Sequence, residues 1–170
     1  MVTVRVSPYQ TFVLNFSAPF IPQFFGVQLS QILPYTDVVI GNEAEAEAWA
    51  TATGKPDPKD LVATAKAIAT LPKSNQSRPR LVIITHGPKN TIVVSADDPE
   101  HEKIYEVHPL KEEEIVDTNG AGDAFAGGFL GAYVAGKPIE ECIEAGHKLG
   151  AMCVQLVRCS YLRLDRKSVV

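Results

Sequence analysis

Cysteine is scarce and poorly spaced in this 170-residue chain: Cys142, Cys153 and Cys159 are odd in number and form no CxxC pair. That pattern points to neither a disulfide framework nor a zinc site. Basic charge is also short, with 16 Lys and Arg against 20 Asp and Glu and a net charge of -4. The chain therefore offers no basic face to the phosphates of a nucleic acid. No apolar run approaches the roughly 20 residues that a bilayer requires, and no apolar signal segment follows Met1. A membrane role is disfavoured, and the expected setting is the reducing cytoplasm, with the nucleus as a second compartment. Internal repeats and domain linkers are lacking, and Gly87-Pro88-Lys89 does not complete the GxxxxGK pattern of a P-loop. What remains is 45% hydrophobic and 21% charged, the composition of one globular domain able to bury a core.

Periodicity orders the elements. Thr11 to Phe16 alternates as a strand, and Ile21, Phe25, Leu29 and Ile32 recur at helical spacing, together a βα unit. A second apolar run, Thr36 to Ile40, leads into a helix opened by Asn42 and closed by Gly54 and Pro56. Asp60 to Leu71 reads as another amphipathic helix. Leu81 to Thr85 and Thr91 to Ser95 read as hairpin strands about a turn at Gly87 to Asn90, Asp97 to Lys103 as a solvated loop tip, and Lys103 to His108 as a short strand. Two further helices follow, separated at Gly136 and Pro138. Alternating β and α elements predict an α/β fold, a mostly parallel sheet with helices on both faces.

The most informative run is Val116-Asp117-Thr118-Asn119-Gly120-Ala121-Gly122-Asp123-Ala124-Phe125, which passes through small residues into a helix. Gly120 and Gly122 lack a Cβ, so several backbone N–H groups can converge on one anion, and the positive end of the helix points at the same place. Asp123, in the first turn, sets a carboxylate beside such an anion, where it can deprotonate an attacking hydroxyl. Asp at a helix start is also a favoured capping residue. Phe125, Phe129 and Tyr133 share one face of that helix and read as packing.

Asn42 and Glu45 form a second constellation. They follow the end of a strand, where open α/β sheets place ligands, and their three-residue spacing puts both on one side of a nascent helix. The same spacing is that of a capping box, and both readings stand.

From Asp117 to Leu130 the chain resembles the C-terminal signature of the ribokinase-like carbohydrate and nucleoside kinases, position by position. The resemblance implies that the N–H groups of Gly120, Ala121 and Gly122 form the anion hole for the transferred phosphate and that Asp123 is the catalytic base. It implies that Glu45 helps hold Mg²⁺ through water and that Asn42 supports the phosphate site, in keeping with the oxygen-rich shell of a cation that dehydrates reluctantly. Asn15-Phe16-Ser17-Ala18-Pro19-Phe20-Ile21, Pro34-Tyr35 and Gly41-Asn42-Glu43 are similar to the adenosine-phosphorylating branch of that family. By that similarity Thr85 and Gly87 meet the ATP phosphates and ribose, His147 lies beside the ATP adenine, and Asn119 lies near the reacting nucleoside. His147 also reads as an ordinary half-buried helix histidine.

The match covers residues 11–157, about half the length of such kinases. The N-terminal half, with the lid, most of the nucleoside pocket and the first Gly-Gly signature, is absent from it. Residues 1–10 and 158–170 are atypical, as if from a truncated or alternatively read coding sequence. The implied ancestral reaction is transfer of the γ-phosphate of ATP to the 5′-hydroxyl of adenosine, giving AMP. Two alternatives stand beside it: a non-catalytic nucleotide-binding or interaction fragment, and a ribokinase-like kinase of another sugar or nucleoside.

Overall fold

The computed structural model describes residues 10–55 and 57–156. Residues 1–9, Pro56 and residues 157–170 lie outside it, so the expectations for the two atypical ends and for Pro56 as a helix terminator fall outside the described residues. The chain divides into two compact units, one ending at Val107 and one beginning at His108.

The first unit carries a five-stranded sheet in the order β1-β2-β3-β4-β5. Its strands are β1 (Val13–Asn15), β2 (Val38–Asn42), β3 (Leu81–His86), β4 (Asn90–Ser95) and β5 (Asp98–Glu106). β1, β2 and β3 run parallel, with Val13 beside Val38, Val38 beside Leu81 and Asn42 beside Thr85. β3, β4 and β5 form an antiparallel meander, so the sheet is mixed. The β3–β4 hairpin follows the sequence reading. The predicted loop tip at 97–103 is instead the start of β5, an edge strand whose Glu100 and Glu102 reach Lys66. Charge along an outer edge looks like a solvated loop in sequence, yet it is also how sheets keep an edge from pairing with other chains.

Between the strands lie α1 (Phe20–Phe24), α2 (Gly26–Ile32), α3 (Glu43–Ala52) and α4 (Leu61–Ala69). The single helix predicted from Ile21 to Ile32 is broken at Phe25, whose φ of -115° and ψ of 30° are not helical. Pro22 is accommodated in the first turn of α1, where its missing N–H costs nothing, and Gly26 restarts the chain as α2. α3 ends as expected at Gly54, which has a φ of +71°. The Lys55 N–H donates to the Ala50 carbonyl and the Gly54 N–H to that of Thr51, a Schellman closure.

Alternation along the strands builds the core. Val39, Val82, Ile84, Ile92 and Val94 share one face and pack with Phe16, Leu29, Leu33, Trp49, Leu61 and Ile68 from the connecting segments. Each large apolar side chain removed from water contributes about 1.5–3 kcal/mol. Val38, Ile40, Ile83 and Val93 of the alternate set are buried as well.

A charged knot lies at the other end of the parallel strands from Asn42. Arg80 is fully buried and donates to six carbonyl oxygens: Leu33, Thr36, Ile68, Ala69, Leu71 and Pro72. Its guanidinium thereby closes the C-terminal end of α4, where orphan carbonyls and the negative end of the helix dipole favour a cation. Nearby, Asp37 pairs with Lys73 at 2.5 Å and accepts the Phe12 N–H at 2.9 Å.

The second unit is built on α5 (Ala121–Val134) and α6 (Ile139–Val154). The two helices are packed against each other through glycines. Cys142 is a free, buried thiol, and burial followed by the nearby Glu141 and Glu140 pushes its pKa up. No helix among the described residues is long and apolar enough to cross a membrane.

Candidate functional site

In the first unit the parallel register brings the C-terminal ends of β2 and β3 together, setting Asn42 directly beside Thr85. The Thr85 hydroxyl donates to the Gly41 carbonyl at 3.4 Å, and Gly87 follows with a φ of +51° that bends the chain out of β3. Asn42 and Glu45 form a complete capping box. The Glu45 N–H donates to Asn42 Oδ1 at 2.9 Å, and the Asn42 N–H donates back to Glu45 Oε2 at 3.0 Å. Asn42 Nδ2 adds a third bond, to Glu45 Oε1 at 3.1 Å. The carboxylate is buried, with Glu45 only 4% exposed, and it sits at the positive end of α3. The cap is thus present, and it holds the Glu45 carboxyl group at the C-terminal end of the parallel strands. Among the described residues no group of three or more His, Cys, Asp or Glu side chains could cage a metal ion. A single carboxylate suits Mg²⁺ where water and substrate phosphates supply the remaining ligands.

The sequence reading passed over one part of this arrangement. Phe16 follows β1, and its N–H donates to the Ile40 carbonyl at 3.0 Å. Ser17 turns sharply, with a φ of +64°, and its N–H donates to Asn15 Oδ1 at 3.0 Å. A non-glycine residue in the left-handed region is uncommon, and here the Asn side chain stabilises the turn locally. The signal was an Asn-x-Ser triplet leaving a strand just before a proline.

In the second unit the sequence-predicted residues fall at the start of α5. The Asn119 N–H donates to Asp117 Oδ1 at 2.9 Å, and Gly120 occupies the N-cap position with a φ of +80°. No side chain caps this helix. The Ala121 N–H turns back to the Thr118 carbonyl at 3.3 Å, and the Ala124 N–H bonds to the Gly120 carbonyl at 2.9 Å. The backbone N–H groups of Gly122 and Asp123, between these two, have the orientation that helix starts offer to anions. A Cβ on Gly122 would meet nothing within 4 Å, and Asp123 is exposed in the first turn. Of the three amides predicted to bind phosphate, those of Gly120, Ala121 and Gly122, that of Ala121 is engaged by the Thr118 carbonyl.

His147 lies on α6, half-buried, with its ring centroid 5.7 Å from that of Phe125. Burial lowers its pKa, the proximity of His108 lowers it further, and Glu144 partly opposes both. Its imidazole is accordingly held toward the neutral form. Asn119 to Asp123 and His147 thus belong to the second unit, whereas Asn42, Glu45, Thr85 and Gly87 belong to the first.

The adenosine kinase of Schizophyllum commune is 59% identical over 146 residues, spanning 86% of this chain and 42% of that protein. Among solved structures, Anopheles gambiae adenosine kinase in complex with P1,P4-di(adenosine-5) tetraphosphate matches with a TM-score of 0.84 and 41% identity over 88% of this chain and 43% of that one. Schistosoma mansoni adenosine kinase in complex with 2-fluoroadenosine matches with a TM-score of 0.82 and 38% identity, at the same coverage. The chain therefore spans well under half the length of these relatives. The model of the pfkB family carbohydrate kinases matches residues 6–165, nearly the whole sequence, and the chain belongs to that family.

Proposed function

We propose that this chain is the nucleotide-side half of an adenosine kinase-type phosphotransferase, carrying machinery that moves the γ-phosphate of ATP to the 5′-hydroxyl of adenosine. The observation that carries this reading is the uncapped start of α5, where a left-handed Gly120 opens a helix whose first turn bears an exposed Asp123. The identity to adenosine kinases supports the choice of acceptor.

The roles follow from the chemistry of the residues. In the second unit Asp123 accepts the proton of the 5′-hydroxyl as the oxygen attacks phosphorus. The bond to the β–γ bridging oxygen breaks, and ADP leaves. Donors from the Gly120, Ala121 and Gly122 segment stabilise charge on the transferring group, Asn119 orients the nucleoside, and neutral His147 lies beside the adenine of ATP. In the first unit Thr85 and Gly87 contact phosphates and ribose, Asn42 supports the phosphates, and Glu45 holds Mg²⁺ through water. Mg²⁺, when bound, neutralises triphosphate charge. The functional segment is residues 11–157, and the setting is cytoplasmic.

By the family resemblance, the lid and most of the acceptor pocket belong to the part of these kinases that this chain does not match. The isolated chain is accordingly read as a nucleotide-binding fragment without turnover of its own. Grafting residues 11–156 into a full-length fungal relative and replacing Asp123 by Asn tests the assignment. Turnover is expected to fall by about 10²-fold or more, with ATP affinity little changed. Near-normal kcat in that variant would remove Asp123 from the mechanism.

A further inference from the structure

Gly41 is a glycine whose backbone does not need to be one. Its φ is not positive, unlike those of Gly54, Gly87, Gly120 and Gly136, and it sits in the regular parallel ladder of β2 opposite Ile84. Any residue could adopt that conformation, and a β-branched one would favour it. What excludes a side chain is space. A Cβ on Gly41 would lie 3.2 Å from Cδ2 of the Phe16 ring and 3.2 Å from Oε2 of Glu45. Both distances are closer than ordinary van der Waals contact, so one neighbour would have to give way.

The two neighbours differ in what holds them. Phe16 is 2% exposed and packs in the core cluster with Leu29, Trp49 and Val39, where close packing resists displacement. Glu45 Oε2 is held on this side by the Asn42 N–H at 3.0 Å. Hydrogen bonds from Asn42 are easier to lengthen than an aromatic ring is to move out of a packed core, so the carboxylate yields. We infer that Gly41 is a positioning residue: its missing side chain lets the Phe16 ring and the Glu45 carboxylate both close in on the same position of β2, and this keeps the carboxylate on the Asn42 N–H. This rests on the reading that Glu45 acts toward a nucleotide-bound cation, and it names what sets that group in place.

Amide hydrogen exchange on the full 170-residue chain tests the positioning independently of any ligand. In Gly41→Ala the Asn42 amide, whose acceptor is pushed away by a few tenths of an ångström, is expected to exchange several-fold faster, while the Glu45 amide, held by Asn42 Oδ1, changes much less. Phe16→Val/Gly41→Ala, which makes room on the other side of the added methyl, should return Asn42 exchange to that of Phe16→Val alone. Unchanged Asn42 exchange in the single variant, or no recovery in the double variant, overturns the inference. If Gly41→Ala does not fold, the double variant decides: a folded chain with a protected Asn42 amide supports the crowding argument. An unprotected Asn42 amide overturns it, as does a double variant that fails to fold where Phe16→Val alone succeeds.

The functional arm uses the segment grafted into a complete kinase. There Gly41→Ala should raise the Mg²⁺ concentration for half-maximal rate several-fold, in the same direction as Glu45→Gln, and the double variant should lower it again. An unaltered Mg²⁺ requirement in Gly41→Ala leaves Gly41 no positioning role. An unaltered requirement in Glu45→Gln defeats the metal reading of Glu45, while exchange at Asn42 still decides what Gly41 does to the carboxylate.

Discussion

A Cβ placed on Gly128 would lie 2.4 Å from the carbonyl oxygen of Ala145, so α5 and α6 touch backbone to backbone at that point. Gly146 makes the reciprocal approach on α6, where a Cβ would fall 2.7 Å from the Phe125 ring and 3.0 Å from the Phe125 carbonyl oxygen. Glycine costs a helix interior about 0.5–1 kcal/mol relative to alanine, and here that loss is offset by a helix approach that a methyl group would forbid.

Gly128→Ala is therefore expected to destabilise the chain by roughly 1–3 kcal/mol despite its better helix propensity, because the obstacle is backbone and cannot rotate away. Gly127→Ala is the control, since a Cβ there would meet nothing within 4 Å. It should be neutral or stabilising by up to about 1 kcal/mol. Chemical denaturation of the two variants checks the pair, and equal effects would mean that the close approach does not govern stability.

Arg80 gives the second expectation. Its guanidinium satisfies carbonyls at the end of α4 and in the segments around Leu33 and Pro72, and replacing it with alanine would leave several buried acceptors without donors. Each such group costs about 1–3 kcal/mol, so Arg80→Ala should abolish cooperative unfolding at ambient temperature. Arg80→Lys restores the charge but not the fork of donors and should recover only part of the loss. Burial lowers the Arg80 pKa, and Asp37 counters this. A thermal melt of Arg80→Ala resembling the parent would show that the knot is dispensable.

That knot also marks where sequence reading stopped. The α3 cap, the Gly54 terminator, the β3–β4 hairpin and the Gly120 entry were legible because each rests on local chemistry within a few residues. Arg80, Asp37 and Lys73 were not, because their partners lie up to 47 residues away in sequence and a charged residue before a strand looks like a solvated one. The break at Phe25 was hidden for a related reason: apolar spacing continues across it, while the backbone turns. At the candidate site the Asn42–Glu45 capping box was legible from spacing, while a role toward phosphate and Mg²⁺ came only from the family resemblance. The Phe16–Gly41 contact needed the parallel register of β1 and β2 before the two could be seen as neighbours.

His147 leads to a pH dependence. Its folded pKa lies below the ordinary value of 6.5, so in the window just below that value the unfolded chain binds a proton that the folded chain resists. Stability contributed by neutral His147 is present above about pH 6.5 and is lost as the pH falls through and below it. His101 has the opposite sign, since Asp98 raises its pKa, but it is fully exposed and solvent screens its contribution. Melting temperatures measured from pH 7.5 down to 5.5 should fall, and His147→Gln should flatten the slope. A slope unchanged in that variant would assign the acid sensitivity elsewhere.

The last expectation concerns the two edges of the sheet. β5 is guarded by Glu100, Glu102, Lys103 and Glu106, whereas β1 offers Val13-Leu14-Asn15 with no charge. In the segments on either side of β1, Phe12 is 40% exposed, Phe20 52%, Phe24 77% and Val27 69%, large apolar side chains left in water. An edge strand that carries no charge is a template for pairing, and exposed apolar side chains favour association, so the isolated chain should self-associate. Phe24→Glu with Val27→Lys should reduce that association without lowering the melting temperature, since neither side chain is buried. Turnover of adenosine by the isolated chain is expected to be undetectable, because an acceptor that is bound but not aligned forfeits most of the rate that positioning supplies. Sedimentation velocity on the parent and double variant, paired with a coupled ADP assay, checks both statements. A monodisperse monomer that phosphorylates adenosine would mean that Val13 to Val27 form a finished surface and that the acceptor pocket is built from residues here assigned to packing.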